Sequence, residues 1–122
     1  MEHAENLYQA AYTADAWTKQ IKNPQNRVET VGRQMCEAVG GKFIGAWLCF
    51  GDYDVVLIAE LPSNESMAAL ALAFAAGGAI KASKTTPLIT GAEGIEALKR
   101  AVTAVKVYKD IDTQRTMAAP GR

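Results

Sequence analysis

Two apolar runs that flank a short turn-forming segment constrain the fold of this chain more than any other feature. The runs are residues 43–50 and 55–61, and residues 51–54, with the sequence Gly-Asp-Tyr-Asp, separate them. Glycine and aspartate accept the backbone angles of a tight turn, so the pattern predicts a β-hairpin. A hairpin with one face in water alternates apolar and polar residues, whereas these strands are apolar on both faces. Each face of the predicted sheet therefore needs a cover.

The rest of the chain predicts further elements in a regular order. These are a first strand over residues 7–13, helices over 24–39 and 64–76, a fourth strand over 79–88, and a third helix from Thr90 to about residue 107. The first helix places Val28, Val31 and Met35 on one face at helical spacing. Residues 14–23 are predicted to be irregular or a single helical turn, with Asp15 as its cap.

The predicted order is β-α-β-β-α-β followed by a C-terminal helix, which is the ferredoxin-like arrangement of an α+β protein. In that arrangement two helices cover one face of a four-stranded antiparallel sheet and leave the other face bare. We expect the two hairpin strands at the centre of the sheet and the fourth strand, which contains Pro87, at an edge. A second copy of the chain is expected to cover the bare face, giving a homodimer or a higher homo-oligomer.

Length and charge argue against several classes of partner. The chain has 122 residues, and its thirteen basic side chains balance thirteen acidic ones. A chain without net charge has no general attraction for nucleic acids or anionic lipids, so we expect neither nucleic acid nor membrane as a partner. The longest apolar stretch, residues 67–80, is too short to span a bilayer. One domain is predicted over residues 6–107, followed by a basic C-terminal tail, residues 108–122, that is predicted to be flexible.

The sequence does not match the common catalytic and metal-binding templates. His3 is the only histidine, so no histidine triad or histidine metal site is expected. The glycine pairs at residues 40–41 and 77–78 follow helices, which is the wrong polarity for a phosphate cradle. We therefore predict no metal and no cofactor and assign no catalytic residue. Cys36 and Cys49 lie in apolar segments and are predicted to be reduced thiols, which favours a cytoplasmic location.

Several short motifs occur in an order that resembles a known family. They are Gly40-Gly41-Lys42, the Gly-x-Tyr-Asp turn at Gly51, Tyr53 and Asp54, Pro62 before an alanine-rich helix, Gly77-Gly78, and Lys84-Thr85-Thr86-Pro87-Leu88. Over roughly residues 6–98 the chain resembles the GYD domain family. That family is similar to the dimeric α+β barrel proteins, which pair two ferredoxin-like sheets. The resemblance implies the same architecture here and says very little about chemistry.

The turn contains two carboxylates that allow either a chemical or a structural interpretation. In the first interpretation, Asp52 or Asp54 is partly buried near Tyr53, has a raised pKa and acts as a base. In the second, which we prefer, Asp52 shapes the turn through hydrogen bonds from side chain to backbone, and Asp54 either does the same or caps a nearby helix.

A ligand site is predicted where the bare face of the sheet meets its cover. Aromatic side chains would line a cavity there, and the fourth strand would add a charge and a hydroxyl. The aromatic candidates are Tyr8, Tyr12, Trp47, Phe50 and Tyr53. The alternative, which we favour for these aromatic side chains, is that they fill the core of a dimer. The candidate ligand-binding residues are Tyr12, Trp47, Tyr53, Asp54 and Lys84.

Two functions are consistent with these patterns. The preferred hypothesis is a small homo-oligomeric α+β barrel that binds a small apolar or aromatic molecule or acts as an assembly module. The alternative is a cofactor-independent oxygenase or isomerase of the kind that other dimeric α+β barrels provide, and its residues would be Tyr12, Tyr53, Asp54 and Lys84. The alternative rests on analogy between folds alone.

Overall fold

The structure, a computed structural model, describes the backbone of residues 4–118 and the side chains of residues 4–114. His3 and the end of the predicted tail, residues 119–122, lie outside the described residues. The chain divides after Leu88 into two compact units. The elements of the first unit are β1 (Ala4–Tyr12), α1 (Ala14–Lys22), α2 (Arg27–Ala38), β2 (Lys42–Leu48), β3 (Val55–Leu61), α3 (Asn64–Ala76) and β4 (Ile80–Leu88). The second unit contains a long helix, α4 (Gly91–Ala118).

The four strands form one antiparallel sheet in the order β2-β3-β1-β4. This order and the alternation of strands and helices confirm the predicted ferredoxin-like α+β fold. The fourth strand lies at an edge, as its proline predicts. The expectation that both hairpin strands are central is wrong, because β1 pairs with β3 and thereby leaves β2 at the opposite edge.

The helices α2 and α3 pack on one face of the sheet. Tyr8 and Leu57 are paired across β1 and β3, so their side chains share a face. The Tyr8 ring stacks on Phe74 of α3, with ring centroids 5.2 Å apart. Leu57 lies against Gly32 of α2, where an added Cβ would come within 3.0 Å of the leucine Cδ1 atom. The core between these layers contains Tyr8, Ala10, Cys36, Ala46, Val55, Leu57, Ala59, Leu61, Met67 and Leu70.

The opposite face of the sheet carries apolar side chains as well. Leu7, Val56 and Ile58 alternate with the helix-facing residues of β1 and β3, and all three are half-buried. Trp47 of β2 pairs with Val56 and is 53% exposed. We call this surface, defined by Leu7, Trp47, Val56 and Ile58, the open face.

Most helix ends follow the capping chemistry that the sequence contains. Ser63 accepts a hydrogen bond from the Ser66 backbone N–H at the start of α3. Thr90 and Glu93 form a reciprocal capping box, in which each side chain accepts from the backbone N–H of the other. The hydrogen bonds from Thr90 lower the pKa of the exposed Glu93 carboxyl. These short-range signals fix the starts of α3 and α4.

Two helices are longer than the sequence predicts. Residues 14–22 form the helix α1, which begins at a Thr13 cap in place of the expected Asp15. Thr13 Oγ1 accepts from the Ala16 N–H, and Asp15 instead forms an exposed ion pair with Lys19. The helix α4 continues to Ala118, beyond its predicted end near residue 107. Within the described part of the chain, no helix is both long and apolar enough to cross a bilayer.

Gly41 lies where the turn after α2 approaches β3 most closely. Its N–H donates to the Cys36 carbonyl, and an added Cβ would overlap Leu61 and come within 2.9 Å of the Glu60 carbonyl oxygen. We expect Gly41→Ala to lower the free energy of unfolding by about 2 kcal/mol, the usual cost of overpacking a filled site. Urea denaturation measures the change.

Gly77→Ala is the matched control for that substitution. Gly77 has an ordinary helical φ of −75°, and an added Cβ there would meet its nearest atom at 3.5 Å. We expect the control to leave stability unchanged or to raise it by about 0.5 kcal/mol, because alanine restricts the unfolded chain. Equal losses for both variants would contradict the packing argument.

Candidate functional site

A cavity of about 610 Å³ lies between the helices and the helix-covered face of the sheet. All of its lining residues belong to the first unit. Strand residues form one side of it, α2 and the C-terminal end of α3 form the other, and α1 lies at its rim. The apolar lining includes Tyr8, Tyr12, Val28, Val31, Met35, Val55, Leu57, Phe74 and Ile80. Its size and apolar character are those of a site for a small organic molecule.

The polar lining of the cavity comes from the start of α2 and from α1. Arg27 is the first residue of α2, and Asp15, Lys19 and Gln20 belong to α1. Lys19 Nζ is 3.1 Å from Asp15 Oδ2, and both side chains are mostly exposed. Such an exposed ion pair contributes little stability, but it leaves these two charges neutralised at the rim.

Tyr8 is the most deeply buried aromatic residue of the lining. The residue is 3% exposed, and its ring stacks on Phe74 at an interplanar angle of 24°. Burial raises the pKa of the Tyr8 hydroxyl, and the nearby Ser83 side chain partly opposes this effect. Within the described residues, no group meets hydrogen-bond geometry with that hydroxyl. A buried hydroxyl without a well-placed partner is uncommon in protein structures.

Tyr12 lies at the end of β1, where the cavity lining meets α1. Its ring contacts Trp17 edge to face, with centroids 5.1 Å apart. Burial raises the pKa of the Tyr12 hydroxyl, the negative charge of Asp54 raises it further, and the positive charge of Arg27 acts in the opposite direction. A phenol with a raised pKa stays protonated at neutral pH, so Tyr12 can donate a hydrogen bond to a bound molecule.

Asp54 connects the hairpin loop to the elements around Tyr12. Its Oδ2 atom accepts from the Tyr12 backbone N–H at 2.8 Å and from the Trp17 indole N–H at 3.3 Å. Its own N–H donates to the Ala10 carbonyl at 2.9 Å, and its carbonyl accepts from the Cys49 N–H at 2.8 Å. The side chain therefore holds Tyr12 and Trp17 in place, a role that agrees with the structural interpretation of this aspartate.

The turn before Asp54 depends on glycine. Gly51 has a φ of +119°, a backbone angle that other residues rarely adopt. The following Asp52 is exposed, and Tyr53 is half-buried with its carbonyl 3.2 Å from Cys49 Sγ. Tyr53 does not belong to the cavity lining.

The structure separates the predicted ligand-binding residues into two groups. Tyr12 lines the cavity, and the Asp54 carboxylate accepts a hydrogen bond from the Tyr12 backbone N–H. Trp47 pairs with Val56, and Lys84 pairs with Gln9. These positions alternate with the cavity-facing residues along each strand, so both side chains lie on the other face of the sheet. The cavity therefore lies on the helix-covered face of the sheet, whereas the sequence predicts a ligand site on the bare face. Ligand binding by Trp47, Tyr53 and Lys84 stays a prediction that the geometry does not connect to the cavity.

Sequence reasoning missed the contribution of α2 to the site. Val28, Val31 and Met35 form an apolar stripe at helical spacing, and such a stripe usually indicates a core. The sequence feature that could have indicated a site on α2 is Arg27, because it places a cation at the start of the apolar stripe. Among the residues that the structure describes, no group of three or more His, Cys, Asp or Glu side chains is placed to hold a metal ion.

The role of Asp54 can be tested by removing its carboxylate. We expect Asp54→Ala to lower the free energy of unfolding by about 2 kcal/mol, because two N–H groups lose their acceptor. Asp54→Asn, which retains one acceptor oxygen, should lose less. Thermal unfolding monitored by circular dichroism measures both changes.

Asp52→Ala is the control for the Asp54 variants, since Asp52 is exposed in the same turn. A change within about 0.5 kcal/mol is expected for an exposed position of this kind. If Asp52→Ala destabilised the protein as much as Asp54→Ala, the contacts of Asp54 with Tyr12 and Trp17 would not be the cause.

Comparisons with known proteins place the chain in a family. The crystal structure of MtbAldR resembles it with a TM-score of 0.51 and 14% sequence identity, over 71% of this chain and 52% of that one. The chain thus spans about half the length of that protein, and at this identity the likeness extends to the fold alone. No curated protein matches the chain. The GYD domain model matches residues 7–98. The chain therefore belongs to the GYD domain family.

Proposed function

We propose that this chain binds a small apolar or aromatic molecule in the cavity between α2, α3 and the sheet. The observation that carries the proposal is the cavity itself, a volume of about 610 Å³ lined mainly by aromatic and aliphatic side chains. Ligand pockets of proteins commonly occupy about 300–1,000 Å³ and combine an apolar lining with few polar groups. This cavity has both properties.

The aromatic residues of the lining support an aromatic ligand. Tyr8 and Phe74 stack on each other and both line the cavity, so a ring entering the cavity meets aromatic surface. Tyr12 presents a protonated hydroxyl nearer the rim, where a polar substituent of the ligand would accept a hydrogen bond. These features favour a molecule with an apolar body and a polar end.

The alternative function, a cofactor-independent oxygenase or isomerase, requires a base at the cavity. Tyr12 is protonated at neutral pH because its pKa is raised by burial and by Asp54. The Asp54 carboxylate accepts two N–H groups and does not belong to the lining. Binding without catalysis is therefore the better supported proposal.

Filling the cavity should abolish binding. Ala73 of α3 lines the cavity, and we expect Ala73→Trp to weaken the binding of a naphthalene-based ligand at least tenfold, because the indole occupies ligand volume. Leu72→Trp is the matched control, since Leu72 is the neighbouring residue, 70% exposed and outside the lining. Isothermal titration calorimetry measures both affinities. Equal binding by both variants and the unmodified chain would contradict the proposed site.

The open face supports a second proposal, that the chain forms a homodimer or higher homo-oligomer through its sheet. Leu7, Trp47, Val56 and Ile58 are an unusual set for a surface that faces water. The related dimeric α+β barrel architecture pairs two such sheets, which makes a second copy of this chain the proposed partner.

Cys36 and Cys49 are free thiols, which supports the proposed cytoplasmic location.

A charge on the open face should dissociate that oligomer. We expect Ile58→Glu to reduce the mass from a multiple of 13.0 kDa to that of one chain, because burying an unpaired carboxylate between sheets is costly. Ile21→Glu is the control, since Ile21 is 74% exposed on α1. Size-exclusion chromatography with light scattering measures the masses. A monomeric unmodified chain would refute the proposal.

A further inference from the structure

The rim of the cavity carries a cation that the protein itself does not neutralise. Arg27 lines the cavity and is exposed. Within the described side chains, its guanidinium takes part in no ion pair and no hydrogen bond. The other charges of the rim, Lys19 and Asp15, form an ion pair with each other. With Gln20 neutral, the polar rim of the cavity has a net charge of one positive unit.

Arg27 lies close enough to Tyr12 for its charge to act on the phenol. The guanidinium lowers the pKa of the Tyr12 hydroxyl, although burial and Asp54 together keep that pKa above its ordinary value. Both side chains line the same cavity. Arg27 makes no side-chain hydrogen bond within the described residues, so its N–H donors and the O–H donor of Tyr12 are available to an oxygen of a third group.

We propose that the ligand of this cavity is an organic monoanion, with an apolar or aromatic body and a single carboxylate that Arg27 binds at the rim. This inference rests on the proposed function and specifies the chemical class of its ligand. The planar guanidinium matches the two oxygens of a carboxylate, and the pair forms charge-assisted hydrogen bonds. The Tyr12 hydroxyl supplies a further donor to the same group.

The charge of the rim favours a monoanion over other ligand classes. A phosphate monoester carries about two negative charges at neutral pH, and a single unpaired guanidinium would balance only one of them. A cationic ligand would be repelled by Arg27, and the carboxylate of Asp15 is already paired with Lys19. A neutral ligand would leave the guanidinium without a partner and gain only from the apolar lining.

The inference can be tested with two probes that differ in charge and share a shape, naphthylacetate and naphthylacetamide. We expect the full chain to bind the carboxylate about tenfold more tightly than the amide, a difference typical of one hydrogen bond between charged groups near a surface. Arg27→Met should remove this preference by weakening the carboxylate about tenfold and leaving the amide unchanged. Isothermal titration calorimetry at constant salt measures the four affinities.

Arg33→Met is the matched control for Arg27→Met. Arg33 lies on the same helix, and its guanidinium sits 4.7 Å from the centre of the Phe43 ring and outside the cavity lining. Both substitutions remove one positive charge from α2, so they alter the long-range field similarly. The preference for the carboxylate should survive Arg33→Met. Circular dichroism spectra confirm that each variant is folded.

Each other outcome overturns a defined part of the argument. Equal affinity for both probes would refute the selection of an anion and leave the proposed binding of apolar molecules intact. A preference that Arg33→Met also abolishes would refute Arg27 as the binding residue. Failure of both probes to bind the unmodified chain would refute the proposed function together with this inference. The comparison of the two probes on the unmodified chain needs no variant, so it stands even where a substitution impairs folding.

Discussion

The hydrogen bonds accepted by the Asp54 carboxylate are the interaction on which the end of the first unit around Tyr12 depends. One oxygen atom accepts both the backbone N–H at the end of β1 and the indole N–H on α1. The backbone of the same residue bonds to Ala10 and to Cys49. A single side chain thus fixes the position of α1, whose residues form part of the cavity rim, relative to the central strands. The same carboxylate holds the Tyr12 backbone and Trp17, whose ring contacts the Tyr12 ring edge to face, so the phenol is positioned before any ligand binds.

Features that depend on local chemistry could be predicted from the sequence. The bounds of β3 and α3 follow from an apolar run that contains two valines and an isoleucine, the proline after it and the Ser63 cap. The capping box at Thr90 likewise places the start of α4. In each case the residues that decide the structure lie within a few positions of one another, so no knowledge of the rest of the fold is required. The helix α1 is not evident from the sequence, because its cap, Thr13, also continues the alternating pattern of the first strand.

The order of the strands and the face of the cavity could not be predicted in the same way. The strand β2 resembles a central strand by its apolar residues, yet its place in the sheet is set by the pairing of β1 with β3, residues far apart in sequence. Alternation along a strand divides its residues into two faces, but when both faces are apolar it does not say which one the helices cover. The register of Tyr8 with Leu57 decides this, and it puts Trp47 and Lys84 on the side away from the cavity.

The cavity arises from a mismatch between the spacing of the helices and the size of the side chains beneath them. At Gly32 the helix α2 approaches the sheet so closely that an added Cβ would press on Leu57 and Phe43. Elsewhere the lining contains small residues, among them Ala10, Ala16, Ala73 and Gly77, which leave the volume unfilled. Larger side chains at these positions would take up the space that a ligand would occupy. A bound molecule would supply the missing contacts. Its binding would therefore raise the free energy of unfolding by an amount set by its concentration and its Kd.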